Sequence, residues 1–591
     1  MEPKEKIAEL RRLMLQYHID AWIVLSTDPH QSEYPPERWK ARAWLSGFKG
    51  SAGIVVVTQK KAGLWTDPRY HIRALQELAG SGIELFKFGQ QGVPSYTEWL
   101  YQELEKGSVV GFDGNVVSMS EFARLRKEFE KKLVTFVTQY DLVGMLWQDR
   151  PGIPESLIFI HEDKFAGETR QSKFQRIRDE LRKRAAQVHL LTALDDIAWT
   201  FNIRGSDVEY NPVAISYAAI LEQDARLFIQ TDKVPADVRS ALEKDGVIIS
   251  DYEDVFSYLQ KLPAETAIFV DPEKTVCTLG SAIPAGCRVQ EGSSIPYLLK
   301  ARKNDVELIG IHASQVRDGA ALVKWMCWLD GQIEKVAHTE ITVAEKLTEF
   351  RSQGEYFRGL SFGTICGYQA NSAVGHYSSN PETVPFLYPE GILLIDSGAQ
   401  YLDGTTDITR TLTLGNPTSE QKRVYTIVLK CHIKLATHIF PKGTRGDQLD
   451  AVARELFWQQ GWNCRHGIGH GVGYFLNVHE GPQRFRDDNS TPLELNMLTS
   501  NEPGVYFEGK FGVRLENLVV TVPKGTTEFG EFYGFDTVTL CPFDLDLIET
   551  SMLSLEERNW LNEYHQRVYD MLAPLLSDEE RIWLQHETRQ I

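Results

Sequence analysis

The chain has 591 residues, too many for one hydrophobic core, and its 42% hydrophobic and 24% charged content is that of a globular protein of three or four domains. Its 81 acidic and 63 basic residues give a net charge of −18, which opposes a nucleic-acid partner, and it has no run of about 18 apolar residues to cross a membrane. Seven cysteines, all after residue 276 and none at CxxC spacing, exclude a disulfide framework and a thiolate zinc site.

The N-terminal stretch carries Ile7, Leu10 and Met14 at helical spacing between charges. This predicts an amphipathic surface helix rather than a signal peptide, and a chain that stays in the cytoplasm. A weak internal repeat follows: Trp44 with Gly50-Ser51, and 155 residues later Trp199 with Gly205-Ser206. Each copy comes after a helical stretch and a strand (21–25 and 188–191), so two similar α/β domains in tandem are expected. Pro151–Glu155 marks the first boundary, and the charged run from Ala301 to Asp305 opens a long helical pattern and marks the second. The expected domains are therefore 1–153, 154–302 and 303–591. In the last, residues 554–591 read as helices with Trp560, Leu561, Tyr564, Val568 and Leu572 on one face, forming an appendage suited to dimer contact.

Five potential metal ligands lie in order along the last third: Asp396, Asp407, His470, Glu502 and Glu516. Four carboxylates and one imidazole are what two divalent ions need to share a site, because a carboxylate can bridge with its two oxygens and leave room for a water between the metals. The apolar run Ile392–Ile395 ends at Asp396, and Asp407 comes 11 residues later, after the turn signal Asp403-Gly404 and before a strand-like stretch, so a hairpin can join the two aspartates. Glu502 and Glu516 flank the turn-rich Glu508–Gly512, which predicts a second hairpin opposite the first. Gly467, Gly469, Gly471 and Gly473 surround His470 and let backbone pass close to a metal centre. Carboxylates at the ends of apolar strands would cost several kcal/mol each without a cation.

These segments (DSG, TTDITRT, HGIGHGVG, VHEGP, NEPG and RLEN) resemble the catalytic domain of the pita-bread metallopeptidases. Further stretches, among them HQSEYPPERWKARAWLSGFKGSAG, LWTDPRYHIRA and ALDDIAWTFNIRGSDVEYNPV, extend the resemblance to the whole chain and to the three-domain, cytosolic-type X-prolyl aminopeptidases. The resemblance implies two creatinase-like α/β domains before a pita-bread domain, an α/β (α+β) fold. It also implies a homodimer that cleaves the bond between a first residue and a following proline in peptides.

By the same resemblance, Asp407 and Glu516 bridge the metals, Asp396 completes one, and His470 with Glu502 completes the other. A bridging hydroxide attacks while Glu502 carries its proton to the proline nitrogen, and the substrate's α-amine meets the metal beside Asp396. His376 and His479 are implied as substrate-binding donors beside the metals, and His466 as a residue shaping the pocket. The bond before proline is a tertiary amide whose nitrogen must be protonated to leave, which gives such donors a purpose. Phe362 and Tyr506 are candidates for an apolar wall around the proline ring, and Arg69 for binding longer substrates past the proline. Mn²⁺ is the expected metal from the hard-donor balance, with Co²⁺ or Zn²⁺ also compatible. The alternatives are a prolidase restricted to dipeptides and a pita-bread module that binds peptides without catalysis.

Overall fold

The computed structural model describes residues 1–375 and 377–591, the side chains of Arg69 and Ile72 excepted. The expectations placed on His376 and on the Arg69 side chain therefore lie outside the described residues. Helix α1 (Pro3–Gln16) buries Ile7, Leu10, Leu13 and Met14, the face read from the sequence. Among the described residues no helix is long and apolar enough to cross a membrane.

The chain divides into two units. The first comprises Met1–Ile160, Thr169–Glu209 and Val213–Pro296; the second comprises His161–Glu168, Tyr210–Pro212 and Tyr297–Ile591. Two short pieces of the stretch expected to form the second domain thus pack with the C-terminal unit: Tyr474 Oη donates to the Phe165 carbonyl at 3.0 Å, and Gln400 Nε2 to that of Tyr210 at 3.1 Å.

Within the first unit the repeat is plain in the sheets. Strands β1 (Ala21–Val24), β2 (Ile54–Thr58), β3 (Ala62–Thr66), β4 (Glu84–Lys87), β5 (Val109–Gly111) and β6 (Thr135–Val137) lie in the order β4-β3-β2-β1-β5-β6. Strands β7 (Val188–Leu191), β8 (Ser216–Leu221), β9 (Ala225–Ile229), β10 (Val247–Ser250), β11 (Ala267–Val270) and β12 (Arg288–Glu291) lie in the order β10-β9-β8-β7-β11-β12, the same arrangement. In both sheets the first strand pairs antiparallel with the second and parallel with the fifth. Trp44 and Trp199 each sit on a helix (Ala41–Ser46 and Leu194–Phe201) between the first two strands of their sheet. The two sheets are joined through buried His30, whose Nδ1 lies 2.8 Å from the Thr192 carbonyl and whose Nε2 lies 3.0 Å from Tyr252 Oη.

The C-terminal unit opens with α2 (Asp305–Gln332), started by a capping box in which Asn304 and Glu307 satisfy each other's backbone N–H. A three-stranded antiparallel sheet, β13 (Ile365–Tyr368), β14 (Ile392–Ser397) and β15 (Ile408–Thr413), has β14 at its centre. The Ile392–Ile395 run is wholly buried there. A six-stranded sheet holds β16 (Phe440–Pro441), β17 (Gly469–Gly471), β18 (Glu480–Phe485), β19 (Leu498–Asn501), β22 (Asn517–Thr527) and β23 (Gly530–Thr537) in the order β16-β23-β22-β19-β17-β18. The hairpin β20 (Gly504–Phe507) and β21 (Phe511–Arg514) stands between β19 and β22 in the chain. The tail forms helices Leu555–Leu572 and Asp578–Glu587, and Leu561, Tyr564, Val568, Leu572 and Leu584 join the main core of this unit. It is part of the body rather than an appendage.

The start of β18 is fixed by a buried ion cluster. Lys303 Nζ lies 2.6 Å and Lys300 Nζ 3.4 Å from the Glu480 carboxylate, each side chain about 1% exposed. Removing one partner of such a cluster leaves buried charge uncompensated. Glu480→Leu should therefore destabilise the unit by about 3–5 kcal/mol, read as a lower urea midpoint, and Lys303→Met in the same chain should recover part of the loss.

Candidate metal centre

The four carboxylates among the five predicted donors sit where strands of the two sheets end. In the β14–β15 register Asp396 faces Thr409 and Ser397 faces Ile408, so Asp396 and Asp407 lie next to each other at one end of the ladder. The Asp403-Gly404 turn belongs to a small excursion, Ala399–Tyr401 paired with Gly404–Thr405, inserted between those strands. In the larger sheet the last pair of β19 and β22 is Asn501 with Asn517, which puts Glu502 and Glu516 just beyond it. The Glu516 N–H donates to the Thr409 carbonyl at 3.1 Å, tying the two pairs together.

His470 stands in the middle of β17, with a glycine on each side for steric reasons. A Cβ at Gly469 would meet the Ser500 carbonyl at 2.0 Å, and one at Gly471 the Glu480 carbonyl at 2.3 Å. The imidazole Nδ1 is 2.9 Å from the Gly471 carbonyl, a partner that only accepts. That places a proton on Nδ1 and turns Nε2 towards Asp407 Oδ2 and Glu502 Oε1, each at 3.4 Å. Asp407, His470 and Glu516 each bring one ligand atom to within 4.8 Å of the others.

Hydroxyl and guanidinium donors hold oxygens of these carboxylates. Thr409 Oγ1 donates to Glu516 Oε2 at 2.8 Å, and Ser500 Oγ donates to Glu502 Oε1 at 3.2 Å. Arg514 donates from NH2 to Asp396 Oδ2 at 2.5 Å, from Nε to Thr409 Oγ1 at 3.1 Å and from NH1 to Tyr506 Oη at 2.6 Å. Asp396 Oδ1 is buried with no hydrogen-bond partner among the described residues. Such a carboxylate oxygen, beside three more carboxylates and an imidazole nitrogen turned towards them, is a donor set that fits hard divalent cations.

Charge and burial set the proton affinity of the group. Burial first, then the Asp407 and Glu502 charges, push Asp396 up to about 6 against the pull of Arg514. Glu516 is held well above the carboxylate range, by burial and then by Asp407, Glu502 and Asp396.

His479 lies edge-on to His470, ring centroids 4.3 Å apart, and His466 Nε2 is 2.7 Å from Tyr506 Oη and its Nδ1 3.9 Å from Glu502. The Tyr506 hydroxyl, bonded to His466 and Arg514, takes part in a polar chain. Phe362 is buried three residues before Ile365, which pairs with Asp396. Arg69 belongs to a short 3₁₀ turn, Pro68–Tyr70, of the first unit.

Sequence reasoning passed over the residues that brace the ligands. Arg410, in the TTDITRT segment, is fully buried and donates to the carbonyls of Glu516 (2.7 Å), Pro542 (3.0 Å) and Cys541 (2.8 Å) and to Asn517 Oδ1 (2.8 Å). His432 lies between the paired asparagines, its Nδ1 3.1 Å from the Asn501 carbonyl and its Nε2 3.2 Å from Asn517 Nδ2. Burial, with Arg410 nearby, pushes it down to about 3, so it stays neutral. The signal available was an arginine as the one charged residue of a short strand beside a candidate ligand, as at both Arg410 and Arg514.

The fold and the donor set define a metallopeptidase, and comparison with known proteins agrees. Residues 310–523 match metallopeptidase family M24, residues 531–591 the C-terminal region of peptidase M24, and residues 6–143 and 149–307 two forms of the creatinase/prolidase N-terminal domain. The chain belongs to the Xaa-Pro aminopeptidase P branch of family M24. It is 40% identical to a probable Xaa-Pro aminopeptidase P of Laccaria bicolor, covering 99% of this chain and 93% of that protein. It is 39% identical to a protein of the same description from Paracoccidioides brasiliensis, covering all of both. The crystal structure of an X-prolyl aminopeptidase from Caenorhabditis elegans, described as a cytosolic enzyme with a di-nuclear active site, superposes with a TM-score of 0.94 at 34% identity over all of both chains.

The raised carboxylates predict a pH-dependent response to chelation. A folded-state pKa above the unfolded value contributes stability at low pH that is lost as pH rises from the unfolded value through the folded pKa, up to about 6 for Asp396 and over a higher range for Glu516. Bound cations neutralise these charges and remove that loss. The gap in melting temperature between metal-loaded and chelated protein should therefore widen by about 5 °C or more between about pH 5.5 and about pH 8, measured by thermal shift.

Proposed function

We propose that this chain is an aminopeptidase that uses two divalent ions to hydrolyse the bond between an N-terminal residue and a following proline. The convergence of Asp407, His470 and Glu516 on one point carries the reading, in a chain that aligns end to end with Xaa-Pro aminopeptidases. Asp407 and Glu516 would be shared by both ions, Asp396 would hold one, and His470 with Glu502 the other. When bound, the ions polarise the scissile carbonyl and make water acidic enough to attack near neutral pH. The balance of hard donors favours Mn²⁺.

The chain's own groups supply position and protons. Arg514 fixes Asp396 through Oδ2 and leaves Oδ1 for a cation, as Thr409 does for Glu516 through Oε2. Glu502 accepts a proton from the attacking water and delivers it to the proline nitrogen, which cannot leave as an unprotonated tertiary amide. His479, edge-on to His470, and His376 are donors to the scissile carbonyl or the leaving nitrogen, and His466 shapes the pocket beside Glu502. Phe362 and the ring of Tyr506 face the proline, and Arg69 serves substrates longer than a dipeptide. The domains run 1–153, 154–302 and 303–591, in a cytoplasmic homodimer.

Mass spectrometry of peptide digests tests the substrate. Xaa-Pro-Yaa tripeptides should lose the first residue, at a kcat/KM at least about a hundredfold above that for Xaa-Ala-Yaa. Cleavage of Xaa-Pro dipeptides alone would instead mark a prolidase.

Asp407→Ala and Glu516→Ala should each abolish turnover by more than about a thousandfold and lower the number of ions bound. Glu502→Gln should retain at least one ion and lose about 10²–10⁴-fold in kcat, because an amide oxygen can coordinate but cannot carry a proton. Elemental analysis beside single-turnover rates separates the two behaviours.

A further inference from the structure

The loop after β13 carries His376 in sequence and then runs to β14. The groups that hold it come from the start of the helix Glu340–Ser352, here α3. The Glu340 carboxylate is fully buried and fills its acceptor sites on two sides. Oε1 accepts from the Tyr368 N–H at 2.8 Å and from Asn371 Nδ2 at 2.9 Å; Oε2 accepts from Tyr377 Oη at 2.8 Å and from Ser379 Oγ at 3.1 Å. Asn371 Nδ2 also lies 2.8 Å from Tyr377 Oη, closing the network. Farther along the loop, Leu387 N–H donates to the His338 carbonyl at 2.8 Å, and Thr339 forms an isolated bridge with Phe386.

These contacts have a direction. Tyr368 ends β13, and β13 pairs with β14 at Ile365–Asp396. One oxygen of Glu340 is therefore fastened to the sheet that bears Asp396, and the other holds the hydroxyls of Tyr377 and Ser379, just after His376 in the chain. The carboxylate lies in the first turn of α3, where the helix dipole favours negative charge. A carboxylate taking four donors is far stronger as an anchor than an amide, which must turn an N–H₂ towards one pair of them.

We propose that Glu340 is a positioning residue: it clamps the Tyr377–Ser379 segment to the sheet carrying Asp396 and so fixes the reach of the loop that follows His376 towards substrate. This rests on the peptidase reading above only for its kinetic consequence; the clamp itself is a property of the fold. It accounts for the burial of a charged residue that is neither a metal donor nor paired with a cation among the contacts that hold it.

The test uses the full-length, metal-loaded protein and the isosteric variant Glu340→Gln, with Tyr377→Phe as a milder cut of the same clamp and exposed Glu349→Gln as control. Hydrogen exchange without substrate reads the clamp: amides of 377–379 should exchange at least about tenfold faster in Glu340→Gln and less so in Tyr377→Phe. Kinetics on Xaa-Pro-Yaa read its use: KM should rise about tenfold or more in Glu340→Gln, with kcat within about threefold and the metal content of the wild type. Unchanged exchange and unchanged KM in Glu340→Gln would overturn the proposal, as would a fall in kcat with loss of metal, which would mark a role in the metal site or the fold. A wild type that cuts no Xaa-Pro peptide would overturn the peptidase reading instead, and the exchange contrast would still decide whether the clamp exists.

Discussion

Electrostatic repulsion among Asp396, Asp407, Glu502 and Glu516, gathered in a buried place around one imidazole, is the constraint on which the C-terminal unit depends. Like charges that close raise one another's proton affinity and resist burial, as the upward displacement of Asp396 and Glu516 records. Cations are one remedy. The protein supplies part of another, since Arg514 and Arg410 bring two guanidinium groups into the buried strands, Arg514 donating to Asp396 Oδ2 and Arg410 to the Glu516 carbonyl, with their other donors spent on the strands and side chains around them. Arginine suits that task because its planar fork holds several acceptors at fixed angles and keeps its charge when buried.

The placing of the candidate donors at strand ends was legible in the sequence because chemistry and periodicity agreed there. An apolar run ending in Asp396, a turn signal before Asp407 and glutamates on either side of a Gly-rich turn each predicted a strand end, and the registers Asp396–Thr409 and Asn501–Asn517 put all four carboxylates at such ends. The tandem repeat was legible too, although from only three residues, because the Trp on the first helix and the Gly-Ser after it occupy the same place between the first two strands of each sheet.

What stayed hidden depends on contacts across long stretches of chain. Nothing local marks Glu340 as a buried anchor; its spacing from Val343 and Leu347 on an amphipathic helix is equally that of a residue at the helix edge, and its partners lie 28 to 39 residues away. Tyr506 illustrates a different gap. An aromatic near a proline site suggests a wall, but the sequence does not say where a phenol hydroxyl points, and here it joins His466 to Arg514. The helical tail was misread for the same reason: amphipathicity announces a buried face without naming what covers it.

That tail gives the C-terminal region its place in the site. Tyr564 Oη donates to the Cys541 carbonyl at 2.9 Å and receives Arg410 NH2 at 3.2 Å, while Arg410 reaches the Glu516 carbonyl with its other terminal nitrogen. The ring of Phe543 lies 4.2 Å under the same guanidinium. Helix, segment 541–543 and ligand strand thus share one cation, so the position of Glu516 is set jointly by residues more than a hundred apart in sequence. Because a packed, hydrogen-bonded interior does not deform continuously, a shift of the tail helix would be passed to the Glu516 backbone rather than absorbed on the way, and the tail braces the candidate metal centre through Arg410.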